Sequence, residues 1–175
     1  MHKLASEVSY QHAVTPHMPM FHIPLTSLGA HFGSIDIYLF DQLLKGRITK
    51  GMRLLDAGCG TGRNLQYLMQ AGVKVYGADT SAEAIHKVQS MAKELAPTLS
   101  PKNFVVADLA SLPFDDASFD VVLCSAVLHF AKSEEHFRSM AQELWRVLKP
   151  GGMLFCRFST TIGMEGKLPQ VGHRL

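Results

Sequence analysis

The sequence predicts an α/β domain with a doubly wound, mainly parallel sheet and helices on both faces. Short apolar runs alternate along the chain with amphipathic segments of helical period. Parallel strands need crossover connections, and right-handed crossovers place helices on both faces of a sheet. In addition, Asp56, Asp79 and Asp108 each follow an apolar run, which puts them at the edge where open α/β sheets bind ligands.

Length and composition fit one domain of this kind. The 175 residues are 47% hydrophobic, which is enough for one full core. Seventeen basic and fifteen acidic residues give a formal net charge of +2, and the basic residues are scattered along the chain. Because no basic patch is present, the composition argues against nucleic acid and membrane partners and favours a small molecule.

Targeting and cysteine signals are weak. No apolar stretch reaches the roughly 20 residues of a membrane helix, and the N-terminus lacks a basic-then-apolar signal pattern, so we expect a cytoplasmic protein. The chain has three cysteines, Cys59, Cys124 and Cys156, and no two of them have C-x-x-C spacing. We therefore expect small core residues in a reducing compartment rather than a disulfide or a zinc site.

Residues 1–33 are predicted to form an N-terminal lid-like segment. They are rich in proline and show neither helical nor strand periodicity, so they are expected to lie over the domain rather than inside its core. His12, His17 and His22 recur every five residues. That spacing does not place them on one helical face, and no metal site is predicted.

The α/β domain is predicted over residues 34–158 and begins with a helix of about three turns. Ser34 is expected to cap this helix, with Asp36 in its first turn. The apolar stripe of the helix is expected to consist of Ile37, Phe40, Leu44 and Ile48.

Five apolar runs predict the strands, at residues 52–57, 73–78, 103–107, 119–125 and 153–158. Between the first two strands, Leu65, Leu68 and Met69 indicate a helix that stops at Gly72. A second helix begins at Ser81, where Glu83 and Lys87 are spaced to pair. Its inward face is predicted to contain Ile85, Val88, Ala92 and Leu95.

The last helix is predicted over residues 133–149. Glu134 and Glu135 lie in its first turn, where acids interact favourably with the helix dipole, and Pro150 follows its end. Its inward residues are expected to be Phe137, Met140, Ala141, Leu144 and Leu148.

A glycine-rich turn, D-A-G-C-G-T-G at residues 56–62, joins the first strand to the helix that follows. Gly58, Gly60 and Gly62 lack a Cβ, so the turn can take positive φ and let a ligand lie against the backbone. A dinucleotide fingerprint requires G-x-G-x-x-G, but Arg63 stands where its third glycine would be. The spacing therefore weakens a nicotinamide interpretation.

Four motifs in order resemble those of the class I S-adenosylmethionine-dependent methyltransferases. They are D-A-G-C-G-T-G at residues 56–62, A-D-L at 107–109, L-P-F-D-D-A-S-F-D at 112–120 and W-R-V-L-K-P-G-G at 145–152. The resemblance implies a Rossmann-like sheet of order 3-2-1-4-5 with S-adenosylmethionine as cofactor. It also implies two further strands, sixth and seventh, for which this chain has no matching sequence.

The resemblance assigns roles to particular residues. Asp79 would accept the ribose hydroxyls, although an acid at this position is also typical of a helix cap. Asp108 would take the adenine amino group, and Arg63 or Asn64 would reach the methionine carboxylate. The full set of expected cofactor residues is Asp56, Gly58, Gly60, Arg63, Asn64, Asp79, Thr80, Asp108, Leu109 and Ser125.

The implied reaction needs few catalytic side chains, because the sulfonium of the cofactor is already activated and the enzyme mainly aligns the acceptor and excludes water. His129 is the candidate general base, and the alternative interpretation gives it a packing or capping role. C-S-A-V at residues 124–127 replaces the N-P-P-Y-like string of members that methylate exocyclic amino groups. The alternatives are a non-catalytic S-adenosylmethionine-binding module and an NAD-dependent oxidoreductase.

Residues 159–175 are predicted to form an irregular tail, because they contain glycine and proline and show no periodicity. They would not supply the helix and hairpin that the resemblance calls for. Strand five would then be an edge that templates association. We expect a piece of a longer protein, or an edge covered by the tail or by another chain, including a second copy.

Overall fold

The computed structural model describes residues 27–159, which form a parallel sheet of five strands in the order β3-β2-β1-β4-β5. The strands are β1 (Arg53–Ala57), β2 (Lys74–Asp79), β3 (Phe104–Val106), β4 (Phe119–Ser125) and β5 (Leu148–Arg157). The helices are α1 (Leu28–Phe32), α2 (Ile37–Leu44), α3 (Gln66–Gln70), α4 (Ala82–Leu95) and α5 (Glu134–Val147). The predicted fold class and strand order are confirmed.

The core lies on both faces of the sheet. Leu54 and Leu55 are adjacent in β1 and both fully buried, yet they belong to different apolar clusters. Successive strand side chains point to opposite faces, so a strand with both faces covered is apolar throughout. One cluster is completed by α2, α3 and α4, and the other by α5.

Helix α2 differs from its prediction in cap, length and face. Asp36, not Ser34, caps it, because the Asp36 side chain accepts a hydrogen bond from the Tyr38 amide. The helix has eight residues, and Leu39 is its fully buried side chain. Ile37 and Leu44, expected to face inward, are 69% and 73% exposed. The helix is amphipathic, but the face that packs against the rest of the domain contains Leu39 rather than the predicted stripe.

Helices α4 and α5 agree closely with their predictions. Ser81 caps α4, and Ser133 caps α5, each through its hydroxyl. Lys87 Nζ lies 2.6 Å from Glu83 Oε1, as the spacing predicts. Of the predicted inward residues, five are buried within the helices: Ile85, Val88, Ala92, Met140 and Leu144. Three are only half-buried, Leu95, Phe137 and Ala141, and Leu148 belongs to β5 rather than to α5.

The C-terminal part of the sheet departs from its prediction in two ways. β5 begins at Leu148, before the Pro150 stop, with an irregular register against β4 before Met153. Cys156 is exposed rather than a core residue, whereas Cys59 and Cys124 are buried as expected. Among the described residues β5 is an edge strand. That something covers it stays a prediction, because residues 160–175 lie outside the described part.

Helix α1 belongs to the predicted lid-like segment and packs on α3. The rings of Phe32 and Tyr67 are 5.0 Å apart, and Gln66 donates to the Ala30 carbonyl. Residues 1–26, with His12, His17 and His22, lie outside the described range, so the lid remains a prediction. Within residues 27–159, no helix is long and apolar enough to cross a bilayer, and no His, Cys, Asp and Glu cluster has metal-site geometry.

Candidate functional site

The predicted acids meet at the carboxyl edge of the sheet. Asp56 lies near the end of β1, Asp79 ends β2, Asp108 follows β3 and Ser125 ends β4. After β3 the chain crosses to the other side of β1 to form β4, so strand order reverses beside β1. Open α/β sheets bind ligands in the crevice at such a reversal.

The glycine turn adopts the conformation that its sequence predicts. Gly58, Gly60 and Gly62 have φ of 79°, 51° and 85°, a region that favours glycine. A Cβ on Gly58 would overlap the Val127 side chain, and one on Gly62 would lie 2.5 Å from Met91 Cε. A Cβ on Gly60 would meet no atom within 4 Å. Packing therefore requires two of the glycines, while Gly60 faces open space.

Asp56 is a buried acid that has polar groups nearby but no well-formed hydrogen bond within residues 27–159. Its side chain is 1% exposed, and neither oxygen accepts a hydrogen bond from the described residues. Burial raises the pKa of Asp56 to about 7, although the Arg63 charge and the Asn64 side chain act in the opposite direction. A buried acceptor left unmatched is costly, so this side chain is suited to a cationic or donor group from a ligand.

Asp79 links the glycine turn to the end of β2. Its Oδ2 accepts from the Gly60 amide at 2.8 Å, and its Oδ1 accepts from the Ser81 amide at 2.9 Å. Each carboxylate oxygen has a second lone pair available for a ligand hydroxyl. Thr80, the next residue, is exposed at the same strand end.

Asp108 has one occupied and one available oxygen. Its Oδ1 accepts from the Ala110 amide at 2.9 Å and lies 3.0 Å from His136 Nε2, whereas Oδ2 has no hydrogen bond within residues 27–159. The Ala110 hydrogen bond and the His136 side chain hold the pKa of Asp108 below its usual range. Leu109, whose amide is expected to meet the adenine, is buried.

A cluster around Asp36 was not predicted from the sequence. Asp36 Oδ2 accepts from Ser125 Oγ at 2.8 Å and from Arg157 Nε at 2.6 Å. Arg63 Nη2 lies 3.2 Å from Ser125 Oγ and 3.8 Å from Asp36 Oδ2. Burial alone would raise the pKa of Asp36, but bonds from Ser125, the Tyr38 amide and Arg157 outweigh it, and the pKa is lowered.

Two signals for that cluster were present but ambiguous. Asp36 precedes a helical pattern, where an acid suits either the first turn or the N-cap, and the preference of aspartate for the N-cap gives the observed position. Arg157 ends an apolar run, where a cation is unusual. Asn64 is buried, and its Oδ1 accepts from the Asp36 amide at 3.0 Å. The structure thus brings Arg63, Asn64 and Ser125 together, at the start of α2.

His129 lies in a short 3₁₀ turn, Leu128–Phe130, beyond β4. Its ring is 4.3 Å from that of Phe130, and its Nδ1 is buried without a hydrogen-bond partner among the described residues. The structure therefore leaves both of its sequence interpretations standing: a proton acceptor near the strand end, or a packed side chain.

Fold and site together define a class. A doubly wound sheet with a glycine turn after β1 and acids at or just after the ends of β2 and β3 is typical of nucleotide-cofactor-binding domains. The sequence model of the family described as "Methyltransferase domain" matches residues 55–156, more than half of the chain. The chain belongs to this family, within the class I S-adenosylmethionine-dependent methyltransferase superfamily.

Individual relatives agree with that membership. The chain is 37% identical over 121 residues to thiol S-methyltransferase TMT1B of Mus musculus, covering 67% of this chain and 47% of that protein. It is 34% identical over 125 residues to demethylmenaquinone methyltransferase of Protochlamydia amoebophila, covering 70% and 50%. A solved S-adenosylmethionine-dependent methyltransferase from Methanosarcina mazei is 31% identical with a TM-score of 0.56, covering 64% and 54%. The chain spans about half the length of these proteins.

Proposed function

We propose that this chain binds S-adenosylmethionine at the carboxyl edge of its sheet and transfers the methyl group to a small-molecule acceptor. The observation that carries the proposal is the buried carboxyl group of Asp56, which has no well-formed hydrogen bond within residues 27–159. Gly60, in the turn that follows β1, leaves open space where a side chain would stand. A buried carboxylate is costly unless a positively charged group or a hydrogen-bond donor pairs with it. The α-ammonium group of the cofactor supplies such a group.

The other side chains of the site fit the remaining parts of the cofactor. Asp79 retains lone pairs for the ribose hydroxyls, and Asp108 retains Oδ2 for the adenine amino group. Arg63, whose side chain is 41% exposed, is the cation proposed for the methionine carboxylate, and buried Asn64 is the alternative amide donor. The glycine turn leaves the backbone open to the ligand because Gly60 carries no side chain.

The cofactor supplies an electrophilic methyl group when bound, so the residues of the chain have to orient an acceptor and exclude water. Val127, which packs against Gly58, and the 3₁₀ turn Leu128–Phe130 border the end of β4 on the side expected for the acceptor. His129 is the proton acceptor in this proposal, for an acceptor group that must lose a proton.

A small-molecule acceptor is supported by the relatives and by the charge distribution. The two curated relatives are named for a thiol and for demethylmenaquinone, both small acceptors. The basic residues are scattered along the sequence rather than grouped in a run of the kind that binds nucleic acid, and the net charge is +2. A cytoplasmic location is part of the same proposal.

Calorimetry with S-adenosylmethionine, S-adenosylhomocysteine and NAD in parallel tests the cofactor. The proposal expects binding of the first two and none of NAD; binding of NAD alone would contradict it and favour the oxidoreductase alternative. Transfer is then tested by following S-adenosylhomocysteine formation with small thiols, quinols and carboxylic acids. Tight cofactor binding without transfer to any of these classes would favour the non-catalytic module.

A further inference from the structure

His136 is a half-buried side chain on the first turn of α5, and its two ring nitrogens have different partners. The backbone N–H of Lys132 points at Nδ1 across 3.1 Å, and Nε2 lies 3.0 Å from Asp108 Oδ1. A backbone amide only donates, so Nδ1 is the acceptor and the proton of the neutral ring is on Nε2. His136 therefore donates a hydrogen bond to Asp108.

The position of this ring is fixed by its surroundings. The amide of His136 donates to the capping hydroxyl of Ser133 at 3.1 Å, which holds the first turn of α5 in place. The His136 side chain is 19% exposed, against 39% for Asp108. With the backbone capped and both nitrogens bonded, the imidazole presents one donor in one direction.

The consequence for Asp108 is an orientation of its carboxylate. Oδ1 receives two hydrogen bonds, from the Ala110 amide and from His136, so both of its lone pairs are used. Oδ2 is left as an acceptor with no donor from residues 27–159. A freely rotating aspartate would offer either oxygen; this one offers a single acceptor in a fixed direction.

We propose that His136 sets the purine selectivity of the cofactor site by fixing Asp108 so that Oδ2 accepts from a 6-amino group and repels a 6-oxo group. The inference rests on the proposed function, in which Asp108 faces the adenine. A 6-aminopurine presents two N–H donors at that place, while a 6-oxopurine presents a carbonyl oxygen to a carboxylate. His136 is a positioning residue, because it acts only through Asp108.

The test compares S-adenosylhomocysteine with S-inosylhomocysteine, its 6-oxo analogue, by calorimetry. The wild-type chain is expected to prefer the adenine compound by at least about tenfold, since the oxo compound leaves a charged acceptor unmatched. His136→Phe keeps an aromatic ring but removes the donor, and should reduce this preference by about fivefold. His136→Gln restores an N–H near the Nε2 position and should recover most of the preference.

Two further variants separate positioning from general damage. His86→Phe replaces an exposed histidine of α4 and should leave both affinities unchanged. In an Asp108→Ala background, His136→Phe should have no additional effect on the preference, because the carboxylate it orients is absent.

The outcomes are distinct. If His136→Phe weakens both compounds equally, or changes neither, the residue does not set selectivity and the inference is overturned. The same holds if His136→Gln behaves like His136→Phe. If the folded wild-type chain binds neither compound, the proposed function itself fails, and the inference fails with it.

Discussion

Arg157 Nε lies 2.6 Å from Asp36 Oδ2, a contact between residues 121 positions apart. It joins the start of α2 to the end of β5, and Ser125 Oγ, at the end of β4, donates to the same oxygen at 2.8 Å. The Asp36 side chain is 2% exposed, so the ion pair is desolvated on the acid side. The start of α2 is thereby fixed at the carboxyl edge of the sheet.

Asp36→Asn is expected to destabilise the chain by about 2 kcal/mol, because it removes a buried charge that two donors and a cation stabilise. The pKa of Asp36 is lower in the folded chain than in the unfolded chain, where it is about 3.9. The contribution of Asp36 to folding stability is therefore present above the unfolded pKa and is lost as pH falls through the folded pKa. Thermal melts at pH 7 and at about pH 2–3, below the unfolded pKa, measure both effects. Asp41→Asn, which breaks the exposed pair with Lys45, is the matched control and should cost less than about 0.5 kcal/mol.

Gly60→Ala and Gly62→Ala are expected to act on different properties. At Gly60 the added methyl enters open space, so stability should fall by only about 1 kcal/mol for the positive φ while cofactor affinity falls at least about tenfold. At Gly62 the methyl meets Met91 and Val88, and stability itself should fall by about 2–3 kcal/mol. Melting curves and calorimetry on both variants check this; equal loss of stability would mean that Gly60 is structural.

Asp56→Asn is expected to stabilise the ligand-free chain and weaken cofactor binding. The pKa of Asp56 is raised to about 7, so its ionisation costs stability as pH rises from about 4 to about 7. Asparagine removes that cost, and the variant should be about 2 kcal/mol more stable at pH 8 but much closer to wild type at pH 4. Melts at the two pH values measure it. A variant that is less stable at pH 8 would show that a partner already satisfies the carboxylate.

Arg63→Ala is expected to weaken S-adenosylmethionine by about tenfold, the loss of one charge-assisted contact to the methionine carboxylate. The sharp comparison is decarboxylated S-adenosylmethionine, whose affinity should be the same in wild type and variant. Arg138→Ala, on the exposed face of α5, is the control. If Arg63→Ala leaves S-adenosylmethionine binding unchanged, Asn64→Ala becomes the variant to measure, since Asn64 is the other predicted donor.

Asp79→Ala should lower cofactor affinity by about 2 kcal/mol, because a charged acceptor of the ribose hydroxyls is lost together with the bond that holds the Gly60 amide. Asp115→Ala removes an exposed acid in a loop and should have no effect on affinity. If a folded Asp79→Ala variant binds the cofactor with wild-type affinity, Asp79 does not contact the cofactor. Its carboxylate would then serve only to accept hydrogen bonds from the backbone, as it does from the Ser81 amide.

The order of elements and the strand ends that carry the acids were determined by the sequence. Apolar runs buried on both faces, helix caps at Ser81 and Ser133 and the glycine turn are local signals, and each produced the expected element. The carboxyl-edge position of Asp56 and Asp79 followed from topology, because parallel strands end at one edge. Local sequence patterns and the geometry of crossover connections between parallel strands are enough to predict these features.

Tertiary structure decided the rest. The buried face of α2 could not be read from its period, because several of its residues are apolar and packing on the sheet selected Leu39. The contacts of Asp36 with Ser125 and Arg157, and of Asp108 with His136, join residues far apart in the chain. The raised pKa of Asp56 likewise depends on complete burial by other elements. Hydrogen bonding and desolvation of this kind depend on distances in the folded chain, which sequence spacing does not contain.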